Sequence, residues 1–298
     1  MISLRMRALP SVLSGALLLA GLLVATAPVL AATTAAADTI DTLKQRKVIY
    51  LGVRADQPPF SQIGADGIPT GYAVALCGEI VQTLRDNESM PDLTVKYVTV
   101  SADSRFDDLG SGKIDLLCEG TSVTLQRMQK FDFTLETWIS GIGLMTRSDV
   151  ALSNIRDLEG HRVGVVGSTT TEGSVRASLQ RALVTAEVIT YATHVTALQA
   201  LIDKKIDAYF GDRDTLMALR QQSKDPAKLK LSEEIMNLEP YAMALRAGDN
   251  RLRYDANMTL ARLYRSGKIQ DILRTYMPGA EPGSLLKAMF ILQAIPDL

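Results

Sequence analysis

Three arginines, two hydroxyl-bearing turns and one acid stand where a small charged ligand could be held. Gly120-Thr121-Ser122 follows an apolar run ending at Cys118, and Arg127 comes five residues after Ser122. A Gly/Thr/Ser turn that opens a helix presents backbone N–H groups and hydroxyls to an anion. An arginine one or two helical turns on can fold back and grip a carboxylate with its forked guanidinium. Gly167-Ser168-Thr169-Thr170-Thr171 repeats the arrangement after a run ending at Val166. Gly211-Asp212-Arg213-Asp214 follows a run ending at Phe210, and a carboxylate there can accept hydrogen bonds from an ammonium group. Arg54 ends the first apolar run, Arg105 comes soon after the run ending at Val100, and His194 stands just ahead of a helical stretch. Each also has a plainer reading: helix caps for the turns, Asp212 and His194, and solvated surface for the arginines.

The elements that must position these residues are short β-rich runs alternating with helical stretches. Val48 to Val53 reads as a buried strand, ended by Gln57-Pro58-Pro59. Tyr72 to Leu84 reads as a helix with Leu76, Ile80 and Leu84 on one face; Leu93 to Val100 and Ile114 to Cys118 read as strands. The pattern then restarts with an extended segment from Trp138 to Met145, a turn at Asp157 to Gly160 and the strand Arg162 to Val166. A helix from Thr171, the strand Glu187 to Tyr191, a helix from Val195 to Ile202 and the strand Asp207 to Phe210 follow. Arg213 to Gln221 reads as helix, Tyr241 to Leu245 as strand, and Arg251 to Ser266, Lys268 to Tyr276 and Ser284 to Leu292 as helices. This succession predicts mainly parallel sheets with crossover helices, in which ligands sit at the carboxyl ends of the strands. A second lobe, 143–238, is expected to be inserted into a first made of 38–142 and 239–298.

Composition narrows the function. The chain has 298 residues, with 32 Lys+Arg against 33 Asp+Glu, 5% aromatics, 2 Cys and 2 His. Interspersed charge of both signs excludes the basic face of a nucleic-acid binder, and two His leave little room for a His-based metal site. Arg5 and Arg7 are followed by no charged residue until Asp38, with an apolar core from Ala16 to Val24 and an alanine-rich exit. That is the layout of a secretory signal peptide, expected over 1–37 with cleavage between 31 and 38. Its removal takes away Arg5 and Arg7 and no acids, leaving 30 bases and 33 acids, a mature charge of −3. The product is then expected outside the cytoplasm, in the periplasm, where Cys77 and Cys118 could oxidise.

In order and spacing, several segments resemble the bacterial extracytoplasmic solute-binding proteins for polar amino acids that serve ABC transporters. They are Val53 to Ser61, Gly71 to Cys77, Gly112 to Leu116, Thr124 to Arg127, Phe131-Asp132-Phe133, Val163-Gly164-Val165 and Lys205 to Asp212. The likeness covers about 40–292. It implies an α/β, two-lobed periplasmic-binding-protein fold of type II that closes on its ligand about two crossings, near Ser140-Gly141-Ile142 and Glu239-Pro240. By that resemblance Arg127 holds the ligand's α-carboxylate, aided by Gly120, Ser122 and Thr170, and Asp212 holds the α-ammonium. The placement of Arg54, Arg105, Arg127, His194 and Asp212 is similar to the glutamate/aspartate-binding branch, in which further arginines pair with the side-chain carboxylate. Three arginines against Asp212 match such a ligand with one positive charge to spare. Gly120 stands where the family commonly has Ser, losing a hydroxyl but keeping a backbone donor. Glu119 stands where the family more often has Gly; pointing inward, it favours a cationic or amide ligand instead. The expected protein is a monomer that binds glutamate or aspartate and delivers it to a membrane permease, with no catalysis, cofactor, metal or nucleic acid. Binding of glutamine or asparagine, and a secreted dehydratase on the same fold with Glu119 and His194 as acid–base groups, are the alternatives.

Overall fold

The structure is a computed structural model that describes residues 38–279 and 282–296. The expected signal peptide lies outside the described residues. A short helix, α1 (Thr39–Arg46), leads into β1 (Val48–Val53), whose Ile49, Leu51 and Val53 are fully buried. Then come three short strands, β2 (Asp56–Gln57), β3 (Ser61–Ile63) and β4 (Pro69–Thr70), which pair antiparallel. In α2 (Tyr72–Asn87), Leu76, Ile80 and Leu84 form one buried face, because residues four apart stack on the same side of a helix. β5 (Thr94–Thr99), α3 (Arg105–Gly110), β6 (Leu116–Leu117), α4 (Leu125–Met128) and β7 (Phe131–Phe133) complete this half of the first lobe.

β8 (Trp138–Arg147) carries the chain into the second lobe, built from β9 (Arg162–Val166), α5 (Thr170–Ala182), β10 (Glu187–Tyr191), α6 (His194–Ile202), β11 (Ala208–Asp212), α7 (Arg213–Gln222) and β12 (Leu229–Leu231). The return runs through β13 (Leu238–Tyr241) and β14 (Ala244–Arg246) to α8 (Asn250–Ser266), α9 (Lys268–Tyr276) and α10 (Ser284–Leu292). The first sheet has the order β5-β1-β6-β14-β7 and the second β10-β9-β11-β8-β12. Each has its own core: Leu51, Leu76, Ile80 and Leu260 in one, Val163, Val165, Val175 and Phe210 in the other.

Within this two-lobed α/β fold the sheets are mixed rather than mainly parallel. β1 runs parallel to β5 and β6, and β9 to β10 and β11. The strands that join the lobes run antiparallel to their neighbours: β8 to β11, β12 and β13, and β14 to β6 and β7. They enter each sheet directly from the other lobe, without the crossover helix that parallel pairing requires. The strand expected over Tyr241 to Leu245 is divided for the same reason. Tyr241 pairs with Trp138 on β8, while Ala244 pairs with Leu117 and Phe133 in the first sheet. Cys77 on α2 and Cys118, just past β6, form a disulfide with their Cα atoms 6.2 Å apart.

Candidate functional site

Arg54, Arg105, Gly120, Ser122, Arg127, Thr170, His194 and Asp212 line one cavity, together with Gln57, Glu119 and Thr169. Arg54 directly follows β1, Gly120 and Ser122 follow β6, and Asp212 ends β11, so three strands aim their carboxyl ends at the same space. Arg105, Thr170 and His194 each open a helix (α3, α5 and α6), and Arg127 lies in α4.

Neighbouring residues perform the capping that was the plainer reading. Thr124 Oγ1 accepts from Arg127 N–H (3.2 Å), Thr169 Oγ1 from Glu172 N–H (3.2 Å) and Thr193 Oγ1 from Thr196 N–H (3.1 Å). Asp212 stands at the N-cap of α7 yet makes no side-chain capping bond. The caps therefore leave Ser122, Thr170 and Asp212 for other partners.

At one end of the cavity Arg127 donates through Nη1 to the Ser122 carbonyl at 2.7 Å, and its guanidinium lies 4.8 Å from the centre of the Phe106 ring. Arg105 lies over the same ring at 4.8 Å, so one aromatic side chain supports two cations. Burial, reinforced by Arg105, brings Arg127 down to about 10, which leaves it charged at physiological pH. Ser122 Oγ and Thr170 Oγ1 meet across the lobes at 3.2 Å, and Thr170 Oγ1 donates to Glu239 Oε2 at 2.7 Å. Burial pushes the Asp212 carboxyl up to about 7; Tyr241 and Gln57 pull it down, while Glu239 and Asp214 push it up.

Gly120 departs from the expectation that it keeps a backbone donor for the ligand. Its N–H donates to Gln57 Oε1 at 2.9 Å, and its carbonyl accepts from Gln57 Nε2 at 3.0 Å. A Cβ at this position would stand 2.8 Å from Tyr241 Cε2 and 3.1 Å from Phe60 Cδ2. Glycine is needed there because the turn packs against two rings and a clasping amide.

At the other end Glu119 points inward. Arg54, Arg105 and Glu119 are only 3%, 4% and 3% exposed. Glu119 Oε1 lies 3.0 Å from Arg105 Nε, and Oε2 lies 3.7 Å from Arg54 Nη1. Arg54 also donates to Asp56 Oδ1 through Nε (3.1 Å) and Nη2 (2.8 Å). The expected surplus of one positive charge is thereby corrected: Arg54, Arg105 and Arg127 face Asp56, Glu119 and Asp212, with Glu239 a fourth carboxyl behind Thr170. Desolvation lowers His194 to about 4, with Asp56 opposing and Arg54 adding to the shift, so the imidazole is neutral at pH 7. Its Nδ1 lies 2.5 Å from the Tyr209 hydroxyl.

Asp56, Gln57 and Phe106 were not among the expected site residues. Gln57 and Asp56 lie beside the Pro58-Pro59 turn, which draws attention only as a strand end. Their contacts with Gly120 and, across the lobes, with the His194 N–H (2.8 Å to Asp56 Oδ2) span 63 and 138 residues. No local spacing signals such pairs. Among the described residues no cluster of three His, Cys, Asp or Glu is arranged to hold a metal.

Two α/β lobes meeting over a charge-dense cleft at their strand ends define a receptor for a small polar molecule. The chain belongs to the bacterial extracellular solute-binding proteins, family 3, whose model matches residues 49–279. It is 26% identical over 268 residues to the L-glutamate/L-aspartate-binding protein of Pseudomonas aeruginosa, covering 90% of this chain and 87% of that one. It is also 26% identical over 223 residues to a glutamate/glutamine/aspartate/asparagine-binding protein of Rhodobacter capsulatus, covering 74% of this chain and 65% of that protein. A solved structure of a mutant arginine-binding protein from T. maritima superimposes with a TM-score of 0.71 at 26% identity, over 80% of this chain and 98% of that one. Amino-acid solute binding in the service of an ABC transporter is the function shared across this family.

Proposed function

We propose that the mature chain is a periplasmic receptor that closes on an amino acid of the glutamate, aspartate, glutamine and asparagine group and passes it to a membrane ABC permease. Export follows from the signal peptide read over 1–37, and the lobes are taken as 38–142 with 239–298, and 143–238. The observation that carries the reading is the meeting of Arg127 and Ser122 from one lobe with Thr170 and Asp212 from the other in a single cavity. Arg127 and the two hydroxyls suit an α-carboxylate, and Asp212 suits an α-ammonium. The polar side-chain end, with Arg54, Arg105, Glu119 and His194, suits a ligand whose side chain ends in a carboxylate or its amide. The relatives that bind glutamate and aspartate support the acidic pair; carboxyls that already offset the three arginines favour the amides.

A ligand held by both lobes shifts an open–closed equilibrium toward the closed form, because only there are all its charges met. No catalytic step is required. A dehydratase would need an acid–base pair, but here Glu119 lies against guanidinium groups and the His194 ring is held by Tyr209. Thermal shift of the mature chain against the twenty amino acids, with turnover of prephenate or arogenate assayed in parallel, tests the reading. Ligand at ~100 times its Kd adds about 2.7 kcal/mol of stability. Stabilisation by at least one of the four named amino acids, lost in Asp212→Ala, is expected. A response to lysine, arginine or histidine alone, no response at all, or turnover would overturn it.

A further inference from the structure

We propose that Glu119 makes the side-chain end of this cleft selective for a carboxamide over a carboxylate, so that glutamine or asparagine is preferred to the matching acid. The inference rests on the amino-acid reading above and is carried by buried polar groups that make no hydrogen bond among the described residues. Arg105 uses Nη2 to donate to the Ser168 carbonyl at 3.1 Å. Its Nε and Nη1, both buried, make no hydrogen bond; Nε is within ion-pair distance of Glu119 but poorly aligned for one. Glu119 Oε1 accepts from Thr121 Oγ1 at 2.9 Å, while Oε2 is buried with no hydrogen-bond donor. Oε2 is 3.7 Å from Arg54 Nη1, close enough for attraction and too far for a hydrogen bond.

The cleft therefore presents unfilled N–H donors and an unfilled carboxylate oxygen side by side. A primary amide carries the matching set: a carbonyl oxygen that accepts from Arg105 and an NH₂ that donates to Glu119. A carboxylate has acceptors only. It satisfies Arg105 but sets a second anion against Glu119 Oε2, in a buried place where an unpaired acceptor and like charges are both costly. A site built to hydrogen-bond one group discriminates strongly against an analogue that lacks it. The charge count agrees: Asp56, Glu119, Asp212 and Glu239 already offset the three arginines, so a neutral amide adds no charge to the side-chain end whereas an acidic side chain adds an uncompensated negative one. Glu119 is thus a specificity residue, and the carboxyl it adds decides between two ligands of nearly equal shape.

The test is titration calorimetry of the wild-type mature chain with glutamine, glutamate, asparagine and aspartate, repeated with Glu119→Gln and Glu119→Gly. Wild type is expected to bind one amide at least tenfold more tightly than its acid, and each folded variant to lower that ratio at least tenfold. An acid bound as tightly as its amide by wild type, or a ratio unmoved in a folded variant, overturns the inference while leaving the amino-acid reading intact. Wild-type failure to bind any of the four overturns both. Should neither variant fold, the wild-type ratio alone decides.

Discussion

A carboxyl group whose pKa lies near 7, and whose expected partner is an ammonium ion, must exchange protons with solvent when that partner arrives. Asp212 is in this position: burial holds its carboxyl at about 7, so part of the population is protonated at neutral pH. The ligand's ammonium stabilises the charged form, hence binding expels a fraction of a proton and affinity climbs as pH rises from 5 to 8. Calorimetry in two buffers of different ionisation enthalpy measures the release directly; identical heats and a flat Kd would show that Asp212 does not meet the ammonium. The same group also bears on folding. Its folded value of about 7 lies above the ordinary 3.8, so its contribution to stability falls as pH rises from 3.8 to 7. His194 has the opposite sign: its value of about 4 lies below 6.5, so stability is lost as pH falls from 6.5 to 4. The two slopes oppose one another in that interval. Asp212→Asn removes one of them, and its melting temperature is expected to drop more steeply than wild type between pH 6.5 and 4. Parallel curves would mean that the coupling is wrong. At this scale residue type was legible and direction was not: Glu119 is plain in the chain beside Gly120, but whether its side chain meets Arg105 depends on a fold that brings residue 105 across from it.

Among the elements, those with a repeat or a continuous apolar run were readable, and the shortest were not. The sixteen residues of α2 carry a clear four-residue spacing, and β1 is a continuous run of six residues, Val48–Val53, four of them buried. β2 and β4 have two residues each, too few for any period; β6, also two residues, was legible only within the apolar run Ile114 to Cys118; and α3 is only six residues long yet positions Arg105 and Phe106. The antiparallel direction of the joining strands was missed because direction depends on where the chain re-enters a sheet, a tertiary property. One long-range tie acts on the site through such a short element. The Cys77–Cys118 disulfide fixes the exit of β6 to α2, immediately before Glu119 and Gly120. Its ends are 41 residues apart, and closing a loop of that length in the unfolded chain is worth about 4 kcal/mol. Denaturant unfolding with and without a reducing agent is expected to show a loss of that order, with weaker ligand binding in the reduced protein. An unchanged midpoint would mean that packing of β6 alone holds the turn.

At the scale of the whole molecule, the lobes touch through a few polar bonds around the cleft. Besides Arg105 to Ser168 and His194 N–H to Asp56, Ser168 Oγ donates to Asp103 Oδ1 at 3.0 Å, and Gln222 Nε2 to Gln62 Oε1 at 3.2 Å. The joining strands β8 and β13 pair across Gly141 and Leu238, where a Cβ on Gly141 would stand 2.6 Å from the Asn237 carbonyl. This packing leaves no room for a side chain at the crossing. The Asp103–Ser168 bond is exposed and does not line the cavity, and Asp103 makes no hydrogen bond to Arg105, whose Nη2 bonds Ser168 through its carbonyl instead, so the Asp103 side chain probes closure. A net contribution of about 0.5–1.5 kcal/mol for one hydrogen bond corresponds to roughly a 2- to 13-fold shift of the equilibrium. Asp103→Ala is therefore expected to speed ligand dissociation by that factor while leaving the amide-to-acid ratio unchanged. Stopped-flow dissociation and paired titrations measure the two quantities. An unaltered off-rate would remove Asp103 from the closing contacts, and an altered ratio would show that closure and side-chain selection are not separable in this protein.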